Sequence, residues 1–144
     1  MTNSCLVCRE LSGQVQLPGG LLAHDDLVAA FHVPPRAEVV FLGHLLVIPR
    51  RHVADFAGLN AEEAAALGVG ISRWSAALKR MGAIRVYVAT IGHGADHLHV
   101  HLLPRWPGTP EDVPWHSVDD WPGARMGDFA SAEEMVSLIR RNDQ

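Results

Sequence analysis

An α+β fold is what this sequence predicts, with antiparallel strands, one long helix and a helix at the C-terminus. Three observations carry it. Residues 96–105 read DHLHVHLLPR, so that His97, His99 and His101 alternate with Leu98, Val100 and Leu102. That is the period of two expected of a strand with one face in a core. Just upstream, residues 85–91 read RVYVATI and are joined to the first segment by Gly92–Asp96, which predicts a hairpin with a five-residue loop. Finally, Leu67, Ile71, Trp74, Leu78 and Met81 step by fours and threes, the apolar stripe of a helix from about Asn60 to Lys79.

In chain order, Cys5 and Cys8 form a C-x-x-C near the start. Pro18-Gly19-Gly20 is a turn signal between Gln14–Leu17 and Leu21–His24, and predicts a hairpin. Leu27–Phe31 is a short apolar strand, and Pro34-Pro35 after His32 force an extended loop. Residues 39–48, VVFLGHLLVI, are apolar almost throughout, as in a central strand covered on both faces. Gly43 marks a bend or bulge within it, and Pro49 closes it. Asn60 with Glu63 approximates a capping box for the long helix. Gly68 and Gly70 permit close packing on a sheet, Lys79 and Arg80 suit the C-terminal dipole end, and Gly82 is a stop. Pro104 ends the histidine strand. Beyond it, prolines and glycines break the chain into loops carrying Trp106, Trp115 and Trp121. The last helix spans about Ser131–Arg141, capped by Ser131 and Glu134, with Ala132, Met135, Val136 and Ile139 on its buried face.

Composition bounds the function. A chain of 144 residues, 48% apolar and 19% charged, fits one domain over 1–144, its core at about 5–105 and a loop-rich tail with the last helix at 106–144. A net charge of −4 without a basic run argues against nucleic acid as partner. No apolar stretch is long enough to span a membrane, and the N-terminus lacks a signal-peptide pattern. The cytoplasm is the expected compartment, where the cysteines stay reduced.

Three imidazoles about 6–7 Å apart along one extended segment suit neighbouring tasks rather than a shared one. An imidazole with one nitrogen bare and the other donating its N–H can attack phosphorus and form a nucleotidyl-histidine. His99, flanked on both sides, is the best placed, with His101 and His93 as donors to the phosphoryl oxygens. A metallohydrolase would instead use H-x-H as ligands, with Asp96 at hand. A His-rich surface strand is the inert alternative. The C-x-x-C reads as half a zinc site, as a redox pair or as two unrelated buried cysteines.

HLHVHLLPR resembles the signature of the histidine-triad (HIT) superfamily of nucleotide hydrolases and transferases. CLVC at 5–8 and GHLLVIPRRH at 43–52 resemble two further motifs of that family, in the family's order, so about residues 5–105 are covered. The resemblance implies an antiparallel sheet of about five strands with the long helix on one side. It implies a structural zinc held by Cys5, Cys8, His52 and His97, a set with no open position. His99 would be the nucleophile on an α-phosphate, His101 a donor to a phosphoryl or bridging oxygen, and His44 a support from the adjacent strand. Leu27, Phe31 and His32 would line the base and ribose pocket, with His32 where the family often has Asp or Asn. The implied activity is hydrolysis or transfer on a nucleotide conjugate, either a dinucleoside polyphosphate such as diadenosine tetraphosphate or a nucleoside phosphoramidate, in a homodimer.

The sequence departs from the family before the triad. Gly92-His93-Gly94-Ala95-Asp96-His97 stands where the family commonly has G-Q-[ST]-V-x-H. His93 is positioned to replace the Gln as donor, and Gly94 offers only its backbone N–H. A zinc-stabilised nucleotide-binding module with little catalysis is therefore the alternative, beside a metallohydrolase using the triad itself.

Overall fold

A computed structural model describes residues 4–144, with Ala23 and His24 described by backbone alone. The central element is a five-stranded antiparallel sheet. In chain order its strands are β1 (Ala23–His24), β2 (Val28–His32), β4 (Leu45–Pro49), β5 (Arg85–Ala89) and β6 (Val100–Arg105). They lie in the spatial order β1-β2-β4-β6-β5, so β4 sits in the middle. A small ribbon pairs β3 (Val40–Phe41) with β7 (Met126–Gly127). The helices are α1 (Leu6–Leu11), α2 (Ala61–Arg80) and α3 (Phe129–Arg141).

Strand alternation divides the core. Val28, Ala30, Leu45, Val47, Val100 and Leu102 face α2 and pack with its Leu67, Trp74, Ala77 and Leu78. Ala29, Phe31, Leu46 and Ile48 face the other way and pack with Val7 of α1. This explains why β2 and β4 are buried along their whole length: each face has its own helix. The alternation in β6 is sharper, with Val100 and Leu102 buried and His101 only partly so. The sheet face bearing the histidines is the one that short α1 covers incompletely.

The two long helices end where local chemistry stops them. Asn60 accepts from the Glu63 N–H at 2.9 Å, and the Glu63 carboxylate accepts from the Asn60 N–H at 3.0 Å, a complete capping box. Gly82, at φ 101°, follows the helix. Gly70 lets α2 approach the sheet closely, since a Cβ there would stand 3.1 Å from Val47 Cγ1, whereas one at Gly68 would meet nothing. Met135, Val136, Ala132 and Ile139 of α3 are buried as the periodicity predicts.

Several expectations are corrected. Gln14–Leu17 is not a strand; the turn at Pro18-Gly19-Gly20 is present, but the hairpin lies between β1 and β2. Asp25 makes that turn, its carboxylate accepting from the N–H groups of Leu27 and Val28, an Asx-type closure one segment after the Pro-Gly-Gly turn. The apolar run 39–48 is two strands, because Gly43 at φ 93° turns the chain between β3 and β4. The β5–β6 connection spans 90–99 rather than 92–96, since the ladder ends at Ala89 opposite His101. Strand β6 runs on through Pro104, where the β4 ladder has already ended and only β5 is paired, so the missing donor costs nothing. Asp128, not Ser131, caps α3. Helix α1 has no counterpart among the expected elements.

Candidate functional site

The histidine segment has two kinds of surroundings. At its first residue, four side chains from three parts of the chain converge. Cys5 caps α1 and Cys8 lies one turn on, so their thiols share one side of a short helix. His52 follows β4. The Leu98 N–H donates to Val53 O at 2.7 Å, which ties the histidine segment beside the one bearing His52. Arg51, the neighbour of His52, is clamped by two hydrogen bonds of 2.7 Å to the carboxylate of Glu63. That ion pair, with the Asn60 N–H, holds the Glu63 carboxyl at about 2, well below its ordinary value.

Ligand atoms of Cys5, Cys8, His52 and His97 all lie within 4.8 Å of one another. Cys8 Sγ is 3.3 Å from His52 Nδ1 and 3.4 Å from His97 Nδ1, and Cys5 Sγ is 3.7 Å from His97 Nδ1. The S···N edge of a tetrahedral zinc site, built from its usual bond lengths, is about 3.5 Å. His97 Nε2–H donates to Pro49 O at 2.8 Å, which leaves Nδ1 bare toward the sulfurs, the arrangement by which an outer hydrogen bond orients a metal-binding imidazole. The donor set and its spacing therefore fit a tetrahedral metal ion with no position left over.

Two residues on, the surroundings open. His99 and His101 line a cavity of about 860 Å³ together with His44, Gly94, Ala95, Arg36, Glu10 and apolar side chains from α1 and the 33–41 loop. His99 Nδ1–H donates to His97 O at 2.7 Å, so its Nε2 carries the lone pair. His44 Nε2 and His101 Nδ1 are hydrogen-bonded at 2.9 Å. The rings of His99 and His101 stand edge to face with centroids 5.1 Å apart. Burial lowers His101 to about 4, helped by His99 and by the Arg36 charge. Burial, then His101, His32 and Arg36, lower His44 to about 3. Both are neutral near pH 7. Burial also raises Glu10 to about 7, against the pull of Arg36 and Arg9.

Some expected pocket residues stand elsewhere. Leu27 packs with the core on the α2 side, opposite the histidines. Phe31 is wholly buried beneath α1. His32, also wholly buried, donates from Nδ1 to Val33 O at 2.7 Å and accepts at Nε2 from the Gly43 N–H at 2.9 Å. It braces the turn that delivers His44 to the cavity, and no ribose can reach it. His93 is exposed and does not line the cavity, because the long 90–99 connection carries it outward. Gly94 does line it.

Sequence reasoning missed Arg36, Glu10, Val33 and Met126 as cavity residues. One signal was available: Glu10 is a carboxylate on a six-residue helix whose Val7 and Cys8 are buried. Nothing comparable marked the tail. Trp106 donates from Nε1 to Leu42 O at 2.9 Å, and Arg125 stacks on its ring at 4.4 Å. This pins the tail so that Met126 and Asp119 reach the cavity of their own chain.

Comparison with known proteins agrees with this fold. The family model for the HIT domain matches residues 14–108. An uncharacterized HIT-like protein of Methanocaldococcus jannaschii is 27% identical over 120 residues, 79% of this chain and 88% of that protein. An AP-4-A phosphorylase of Mycobacterium tuberculosis is 32% identical over 73 residues, but these cover 46% of this chain and 37% of that enzyme. Among solved structures, a Zn-bound histidine triad family protein from Mycobacterium smegmatis superposes with a TM-score of 0.69 at 23% identity, covering 96% of this chain and 92% of that one. No described helix is long and apolar enough to cross a membrane.

Proposed function

The chain belongs to the HIT domain family, and from that premise we propose that it hydrolyses or transfers at the α-phosphate of a nucleotide conjugate through His99. The observation that carries this is the His99 ring: Nδ1–H held by His97 O at 2.7 Å, which leaves the lone pair on Nε2 of a residue that lines the cavity. Nε2 attacks phosphorus, a P–N bond forms, and the bond from phosphorus to the leaving group breaks. Water then attacks the same phosphorus, the P–N bond breaks, and the nucleoside monophosphate leaves with His99 regenerated. In the tautomer where His44 Nε2–H donates to His101 Nδ1, His101 Nε2–H is free to donate to a phosphoryl or bridging oxygen, and the low pKa of both rings supports that neutral relay. Dinucleoside polyphosphates and nucleoside phosphoramidates are the candidate substrates. The partial likeness to an AP-4-A phosphorylase supports the first class.

Cys5, Cys8, His52 and His97 would hold a structural zinc that joins α1 to the sheet and supplies no chemistry to the substrate. A single domain over 1–144, a homodimer and a cytoplasmic setting complete this reading. A second reading, nucleotide binding with slow turnover, is supported by one feature: Gly94 and Ala95 meet the cavity without any side-chain donor. A metallohydrolase is disfavoured because the metal cluster takes only the first triad histidine.

The deciding experiment is a turnover screen of both substrate classes on the wild type and His99→Ala, with mass spectrometry of quenched enzyme. We expect a nucleotidyl adduct on His99 and a loss on the order of a thousandfold or more in His99→Ala, with nucleotide binding retained. Full turnover by His99→Ala would refute the assignment.

A further inference from the structure

The cavity has a second polar end. Glu10 is only 6% exposed, yet it lines the cavity, and no hydrogen bond acts on its carboxyl among the described residues, only the charges of Arg36 and Arg9. Its carboxyl takes no donor from the described residues, so what it meets is whatever the cavity holds. Leu6, Val7, Val15, Val33 and Pro34 on the same wall carry no side-chain donor.

Glu10 lines the same cavity as His99 and His101, and much of the remaining wall is apolar. A ligand with its phosphate at His99 would lie within that cavity and present the edge of its ring to Glu10.

We propose that Glu10 determines base specificity, selecting a nucleotide whose base edge carries two adjacent N–H donors, as guanine does. This rests on the nucleotide reading above. A carboxylate has two acceptor oxygens and no donor, so it pairs bidentately with the ring N–H and amino group of guanine. Adenine offers one amino group beside a ring nitrogen lone pair, which would face a carboxylate oxygen. A bidentate base contact of this kind discriminates by about tenfold to a hundredfold. Arg36, also on the cavity wall, supplies the opposite charge.

The test is calorimetric titration of the full metal-loaded chain with guanosine, inosine and adenosine monophosphates at mildly alkaline pH. Wild type should bind the guanine nucleotide on the order of tenfold or more tighter than the adenine nucleotide, with inosine, which keeps the ring N–H alone, in between. Glu10→Gln, with an unchanged circular dichroism spectrum, should bring the three within about twofold. Equal binding of the guanine and adenine nucleotides by wild type would overturn the proposal without any variant, as would a guanine preference that survives in a folded Glu10→Gln. Binding without base preference removes the Glu10 proposal alone. No binding of any nucleotide removes the nucleotide reading with it.

Discussion

His97 and His101 leave one extended segment on the same side, four residues apart, and meet opposite surroundings. Around His97 the chain closes: the ring is wholly buried, its Nε2–H is spoken for by Pro49 O, and two sulfurs and a second imidazole surround Nδ1. Around His101 it opens onto about 860 Å³ of cavity, with His44 hydrogen-bonded to its Nδ1. His99 stands at the border, fixed by the first end and facing the second. The lesson is that a period-two row assigns no roles by itself. Roles come from what the neighbouring elements bring, namely α1 and the segment after β4 at one end, and the Gly43 turn and the 33–41 loop at the other.

Breaking the closed end should have the largest structural effect. Cys8→Ala removes the ligand with the shortest contacts to both imidazoles. It should cost the metal and lower the thermal midpoint by about 10 °C or more, as should a strong chelator on the wild type. A midpoint unchanged in differential scanning calorimetry would mean that the cluster bears no structural metal.

Disturbing the hinge of the open end should cost less. A Cβ at Gly43 would meet Trp106 Cζ2 at 2.7 Å and Pro104 Cγ at 2.9 Å, at φ 93°. Gly43→Ala should therefore destabilise by about 2–4 kcal/mol and displace His44 from His101, while metal content stays at the wild-type value. Urea melts with metal analysis check both halves. Metal loss at this site would show that the two ends are not independent.

Acid should separate the ends more finely. Unfolded imidazoles take up protons near pH 6.5, but His101 and His44 wait until about 4 and about 3 in the fold. Between those values the unfolded chain binds more protons, so their contribution to stability is lost as pH falls from about 6.5 toward 3. Glu10, held at about 7, works in the opposite direction between about 7 and 4.5. His44→Phe should flatten the decline in urea midpoint between pH 7 and 4. A slope as steep as that of the wild type would contradict the burial assigned to the His44–His101 pair.

How much of this was legible in the sequence differs between the two ends. The sheet, α2 and the buried face of α3 followed from periodicity, because each buries one regular stripe. The metal cluster was reached only through the resemblance of CLVC, GHLLVIPRRH and HLHVHLLPR to family motifs, since the C-x-x-C by itself left zinc, redox and unrelated cysteines open. The pocket was legible only in part. His32 looked like a ligand contact, but the buried row of β2 and the Gly43 N–H claim it, and neither is visible without the β3–β4 turn. Glu10, Arg36 and Met126 come from a helix, a loop and the far tail, and meet only because α1, β7 and the Trp106 anchor fold over one face. Tertiary closure of that sort leaves no period to read.

The division of the histidine row is tested most directly by counting bound metal per chain in His97→Ala and His99→Ala, purified alike and compared with the wild type. One metal ion should remain in His99→Ala and be lost from His97→Ala, since only the first ring joins the sulfurs. Loss of the metal from His99→Ala, or its retention in His97→Ala, would contradict the separation of the closed end from the open one.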